Sequence, residues 1–301
     1  MINERQPTSG TLHAGPPADL EVLDTHVHVW QYTDPWMTWL EDRPDSWNVV
    51  RRDIPWSELR GELDGAGVRD LILVQASPDC AESRTYLELA AKEPAILGVV
   101  GWVSLRSVEA TLDGLDRLAG PGSEKLVGIR NNHGWAPDGD ILGTPTVLDS
   151  CRLLAERGLA LDLHFSDQRE LPLALALADA LPALRLVIDH LGKPLIREPA
   201  LFSDWKNSIT ELASRPNIYL KYSGWATFLD CARADDVRDH ARHAMNTFGA
   251  ERMMFGSNWP VALVADSYAE TYRATLDALP QLDDAQWRSL LRKTALKCYR
   301  L

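Results

Sequence analysis

The chain has 301 residues, 45% hydrophobic and 25% charged, and carries a formal net charge of -12. That composition is globular, and its acidity disfavours nucleic acid and anionic membrane surfaces, both of which recruit a positive footprint. No stretch approaches the ~20 apolar residues of a membrane span, no basic region with a following apolar run marks a signal peptide, and the well-separated Cys80, Cys151, Cys231 and Cys298 read as reduced thiols of a cytoplasmic protein.

Residues 1–20, with Thr8-Ser9-Gly10 and Gly15-Pro16-Pro17, read as a flexible N-terminal tail, and 21–301 as one domain. Short apolar runs follow at Val22–Trp30, Leu71–Ser77, Ile96–Leu105, Leu126–Asn132, Ala160–Ser166, Arg185–Leu191, Ile218–Gly224 and Met253–Asn258. Apolar residues at three- and four-residue spacing, as on one helix face, occupy Glu82–Glu93, Val108–Ala119, Thr146–Arg157, Arg169–Leu181, Phe202–Ser214 and Asp235–Phe248, with two closing helices at Ser267–Leu279 and Asp284–Tyr299. Thr144-Pro145 reads as an N-cap with proline at the first helical position, and Gly158 as the stop of that helix. Strands alternating with helices imply parallel pairing. Eight of them predict a single-domain α/β fold, the (β/α)8 TIM barrel. An open doubly wound sheet is the alternative, but no GxGxxG or Walker sequence supports it.

Barrel chemistry collects at the C-terminal ends of the strands. The residues that fall there are His26 and His28, Gln75, Trp102, Arg130, His164, His190, Ser223 and Asn258. Side chains alternate faces along a strand, so Asp24, His26 and His28 are expected to share one face, as are Asp162 and His164. Three neutral imidazoles with an open position suit a catalytic divalent metal. We therefore take His26, His28 and His164 as the candidate ligands, against the plain alternative of hydrogen-bonded core histidines. Asp24 and Asp162 are either second carboxylates that orient the imidazoles or buried structural acids. Arg130 can grip a substrate carboxylate with two hydrogen bonds or pair with a neighbouring acid. After strand 1 comes WQYTDPWMTWLEDRPDSWNVVRRDIPW, with Trp30, Trp36, Trp39, Trp47 and Trp56. A loop this long reads as a lid walling the pocket with aromatic surface, or as rings packed onto the barrel rim. Trp102, Trp135, Trp225 and Trp259 are further wall candidates.

DTHVHVW, the Trp30–Pro35–Trp36 loop, VVGWVSL, LVGIR, VIDHLGKP and FGSNWPV, in that order, resemble the amidohydrolase-related lactonases from about Leu23 to Tyr299. The resemblance implies a (β/α)8 barrel and a hydrolase that opens lactones of sugar acids or aromatic breakdown products. It implies that Arg130 meets substrate oxygens and that His190 of HLGKP polarises the carbonyl or shuttles protons; Lys193 of the same motif either offers charge to the substrate carboxylate or is a surface lysine. Asn258 falls where related chains carry the aspartate of GSDWP, the expected base or metal ligand. Asn258 is then a natural variant, an introduced Asp→Asn exchange, or the mark of a changed reaction. His164 is a ligand in zinc-dependent decarboxylase relatives.

The expected activity is water attack on a lactone carbonyl, with His190, Asn258 and Arg130 at the reaction centre. Arg130, Lys193, Gln75, Trp30, Trp102 and Trp259 are expected to contact a small, carboxylated substrate. The implied cofactor is a divalent metal, zinc first, with iron, manganese or no metal as alternatives. The alternative activity is a metal-dependent lyase, isomerase or non-haem iron oxygenase on the same scaffold.

Overall fold

The computed structural model describes residues 12–13, 15–132, 142, 144–227, 229 and 231–301. Eight parallel strands, β1 (Val22–Val27), β2 (Val68–Val74), β3 (Ile96–Gly101), β4 (Leu126–Asn132), β5 (Ala160–His164), β6 (Leu186–Ile188), β7 (Ile218–Tyr222) and β8 (Met253–Phe255), form one sheet in chain order. Among the described residues the ring closes through a parallel Val27–Trp259 bridge and two backbone bonds, His28 N–H to Trp259 O and Asn258 N–H to His26 O, both 2.8 Å. The fold is the single-domain TIM barrel expected from the alternating pattern.

Eight helices follow the strands in turn: α1 (Trp56–Gly65), α2 (Cys80–Ala90), α3 (Val108–Arg117), α4 (Pro145–Glu156), α5 (Leu171–Ala180), α6 (Phe202–Ala213), α7 (Ala234–Phe248) and α8 (Tyr268–Asp277). The side chains of Asp79, Ser107 and Ser267 cap α2, α3 and α8. Thr144 and Pro145 start α4 as read from the sequence, and Gly158 follows it at φ 71°. Helix α1 was not expected. It buries only Leu59 and Leu63, too thin a stripe to stand out beside the tryptophan-rich loop before it. None of the four cysteines forms a disulfide, and among the described residues no helix is long and apolar enough to cross a membrane.

The barrel interior is layered by the two-residue period of the strands. An apolar floor of Leu23, Ile72, Val74, Val100, Val187 and Met254 packs on Cys298 and Tyr299 of the C-terminal helix. One step along each strand, Ala160 gives way to Asp162 and His164, Val187 to Asp189, and Tyr219 to Lys221 and Ser223. The interior thus turns from apolar to ionic to imidazole-lined toward the C-terminal ends. Part of the segment expected as tail is ordered: Leu12–His13 pair antiparallel with Leu282–Asp283. Residues 1–11 and 14 lie outside the described set.

Candidate active site

His28, Arg130, His164, His190, Lys193 and Asn258 line one cavity of about 50 Å³, with Trp39, Trp47, Ala76, Gly224, Thr227 and Val261. A neighbouring cavity of about 240 Å³ shares His190, Lys193 and Gly224 and adds the apolar Leu195, Ile196, Trp225 and Leu229. Six of the residues singled out in the sequence therefore converge, from strands 1, 4, 5, 6 and 8.

His190 is held on a strained turn. His190, Leu191 and Lys193 sit at φ 54°, 56° and 50°, a region that non-glycine residues rarely occupy and that recurs at functional sites. The turn is fastened by the indole of Trp205, which donates to Leu191 O at 2.8 Å. Gly224, at φ 61°, lets His190 approach: a Cβ there would lie 2.3 Å from Nδ1. His190 Nε2 is 3.4 Å from Arg130 Nη2, and its Nδ1 is 2.9 Å from Ser223 Oγ. A guanidinium can only donate. Nε2 therefore carries the lone pair, and Nδ1–H donates to Ser223. His28 is fixed by the same logic: its Nδ1 lies 2.6 Å from Val74 O, which can only accept.

The imidazoles are kept neutral. Burial drives His26, His164 and His190 well below 6.5, reinforced first by Lys221, Lys193 and His26 respectively. Burial, with Arg130 nearby, takes His28 down to about 3. Burial and then Arg130 pull Lys193 down to about 7.

Arg130 is both ion-paired and available. Its Nε donates to Asp189 Oδ2 at 2.8 Å and its Nη1 to Gln75 O at 2.9 Å, which leaves Nη2 toward the cavity. Burial pushes Asp189 up, but Lys221 and Arg130 outweigh it and hold the carboxyl below its ordinary range. Beneath, Lys221 donates to Asp162 Oδ2 at 2.5 Å, and Tyr299 Oη donates to the same carboxylate at 2.8 Å. Burial, opposed by Lys221, moves Asp162 up to about 6. Asp189 and Lys221 were overlooked in the sequence. Each is a charge inside an apolar run, VIDHL and IYLKY, and that anomaly was the available signal.

Several expectations are corrected by the geometry. The expected ligands His26, His28 and His164 all ring His190 or one another, with His26–His28 centroids 5.0 Å, His26–His190 4.5 Å and His164–His190 5.6 Å apart. Among the described residues, the donors that fall within 4.8 Å of one another belong to His26, Asp189 and His190. Those residues suit a divalent ion chemically, for His26 Nε2 and Asp189 Oδ1 are buried without a hydrogen-bond partner. Asp24 does not share a face with His26. A register shift lies between Asp24 and Val27, and Asp24 turns to the helical layer, where it accepts from Tyr268 Oη (3.0 Å) and Ser257 N (2.9 Å). Asp162 accepts from Lys221 and Tyr299. Gln75 does not line the cavity; it carries Arg130 on its carbonyl and donates to Asn132 Oδ1 at 3.0 Å. Trp30 lines a separate groove under the loop. Trp102 borders none of the cavities described, and Trp259 is fully buried, its carbonyl serving barrel closure. Trp135 lies outside the described residues. Trp39 and Trp47 supply the aromatic wall instead, their rings edge-on at 6.2 Å with Arg43 over both.

The family model described as amidohydrolase matches residues 23–301. An L-fucono-1,5-lactonase of Burkholderia multivorans is 32% identical over 295 residues, covering 93% of this chain and 96% of the relative. Another, of Burkholderia ambifaria, is 31% identical over 249 residues, covering 82% and 83%. A solved amidohydrolase from Burkholderia multivorans, with bound zinc, superimposes with a TM-score of 0.83 at 29% identity, covering 93% of this chain and 99% of that one. The family model and these relatives match over nearly the whole length, and the chain belongs to the amidohydrolase family.

Proposed function

We propose that this enzyme hydrolyses a lactone of a polar acid, sugar-derived or from aromatic breakdown, opening the ring by water attack on its carbonyl. The observation that carries this reading is His190, whose acceptor nitrogen is fixed as Nε2, facing a guanidinium inside a cavity walled by Trp39 and Trp47. The two lactonases at 31% and 32% identity support the substrate class.

The attacking water gives a proton to His190 Nε2, which is neutral at neutral pH and so able to accept it. Negative charge gathers on the carbonyl oxygen, where Arg130 Nη2 and the Lys193 ammonium stabilise it. The ring C–O bond then breaks, and the departing oxygen takes a proton from protonated His190 or from Lys193, whose pKa of about 7 suits that transfer. A carboxylate on the substrate also finds its counter-charge in Arg130 and Lys193. Asn258 positions rather than titrates: its Nδ2 donates to Thr227 Oγ1 at 3.0 Å and its side chain hydrogen-bonds His28. A divalent ion, zinc first, would be held by His26, Asp189 and His190, and would supply Lewis acidity toward the carbonyl; His190 would then serve as ligand in place of base.

Acid release from a panel of sugar-acid and aromatic lactones tests the reading. The wild type is expected to turn over at least one of them. His190→Ala is expected to lose roughly 10²–10⁴-fold in kcat with its melting temperature retained. A folded His190→Ala enzyme with wild-type kinetics removes His190 from the reaction, and a wild type inert toward every lactone defeats the substrate class.

A further inference from the structure

Lys221 is a buried charge that the reaction above leaves unused. It stands on β7 between Leu220 and Tyr222 and is fully buried. Its Nζ lies 2.5 Å from Asp162 Oδ2, 3.4 Å from His26 Nδ1 and 3.5 Å from Asp189 Oδ1. Two of those three neighbours, His26 and Asp189, are members of the candidate metal-binding set. The other oxygen of Asp189 is taken by Arg130 at 2.8 Å. Asp162 and Asp189 are therefore already matched by Lys221 and Arg130, and the layer is electrically neutral before any ion enters.

We infer that Lys221 is a resident cation of this centre that opposes a divalent ion at His26, Asp189 and His190, and so sets the affinity for zinc. A metal there would add two positive charges beside an ammonium and a guanidinium, in an interior where water screens little. The ammonium has nowhere to retreat. Asp162 holds it at 2.5 Å, and the Tyr299 hydroxyl, donating to both Asp162 oxygens at 3.0 and 2.8 Å, holds Asp162. Neutralising Lys221 leaves Asp189 Oδ1 and the His26 ring without a competing cation and gives the layer a net negative charge.

Calorimetric titration of the metal-free full-length protein with zinc alone tests this without any substrate. Lys221→Gln is expected to bind zinc at least tenfold more tightly than wild type. Lys221→Arg, which keeps the charge, is expected to gain nothing, and adding His26→Ala to Lys221→Gln is expected to abolish the gain. The single exchange leaves Asp162 without its counter-ion, so D162N/K221Q, which removes one charge of each sign, is titrated alongside and is expected to show a smaller gain, because Lys221 and not Asp162 stands beside His26 and Asp189. Zinc affinity equal to or below wild type in whichever of the two variants folds overturns the inference. So does a gain that survives His26→Ala.

Discussion

Asn258 holds a left-handed φ of 61°, a conformation asparagine tolerates better than most residues. Its backbone N–H is spent on His26 O and its amide on Thr227, while it also meets His28. The residue is thus a bracket between strand 1 and strand 8. Asn258→Ala should lower kcat by roughly 10–100-fold, as loss of a group that orients active-site side chains does, and Asn258→Asp should retain more activity than Asn258→Ala because its oxygens can accept from Thr227 and the φ is again tolerated. Stopped-assay kinetics on the two variants check this; equal, wild-type-like rates would remove Asn258 from the site. At this scale much was legible. An imidazole ending a strand is unusual enough to mark itself, which is why His26, His28, His164 and His190 were all found. Their grouping was not legible. The register shift after Asp24 breaks strict alternation, and contact between His26, Asp189 and His190 depends on barrel geometry that no single strand contains.

The element that most shapes access is the loop from Gln31 to Asp53. An antiparallel bridge joins Trp30 and Ile54 at its base, and the Trp30 indole donates to Arg52 O at 3.0 Å. Its own Met37, Leu40, Trp47 and Val50 are buried, so the loop is a packed structure whose rings serve both as anchor and as wall. Trp39→Ala should raise KM by roughly tenfold, equivalent to about 1.4 kcal/mol, with kcat little changed, since the ring borders the cavity and not the reacting atoms; steady-state kinetics separate the two. An unchanged KM would confine Trp39 to packing. The strands were readable because apolar runs bounded by turns recur at barrel spacing. Helix α1 was not, because Gly61 and Gly65 interrupt it and only two of its side chains reach the core.

For the molecule as a whole, buried titratable groups pull stability in two directions. An unfolded histidine takes its proton near 6.5, whereas His26, His28, His164 and His190 stay neutral well below that. The unfolded chain then binds more protons, and stability falls as pH drops from about 6.5. Burial raises Asp24 from 3.8 to about 6 and Glu82, which accepts from Ala76 N and Ser77 N, from 4.5 to about 8. Here the folded chain holds protons the unfolded one has released, so stability declines as pH rises from about 4 through those values. Asp162, raised to about 6, joins these two, and four imidazoles outweigh the three carboxyls on the acid side. Above about 7 Lys193, lowered from 10.5, works against Glu82, because there the unfolded chain holds the extra proton. The melting temperature should therefore climb from pH 4 to about 6.5 and change little up to about 8, and Glu82→Gln should let it climb on through that window; melts from pH 4 to 9 that are flat below about 6.5 would contradict this. The ring is joined between its first and last strands through the backbone of His26, His28, Asn258 and Trp259, so its seam runs through the catalytic centre. Parting there separates the histidine pair from Asn258 while the other seven strand pairings still stand. Heat or denaturant would silence such an enzyme while most of its ring is intact, and activity would return as soon as the seam re-zips.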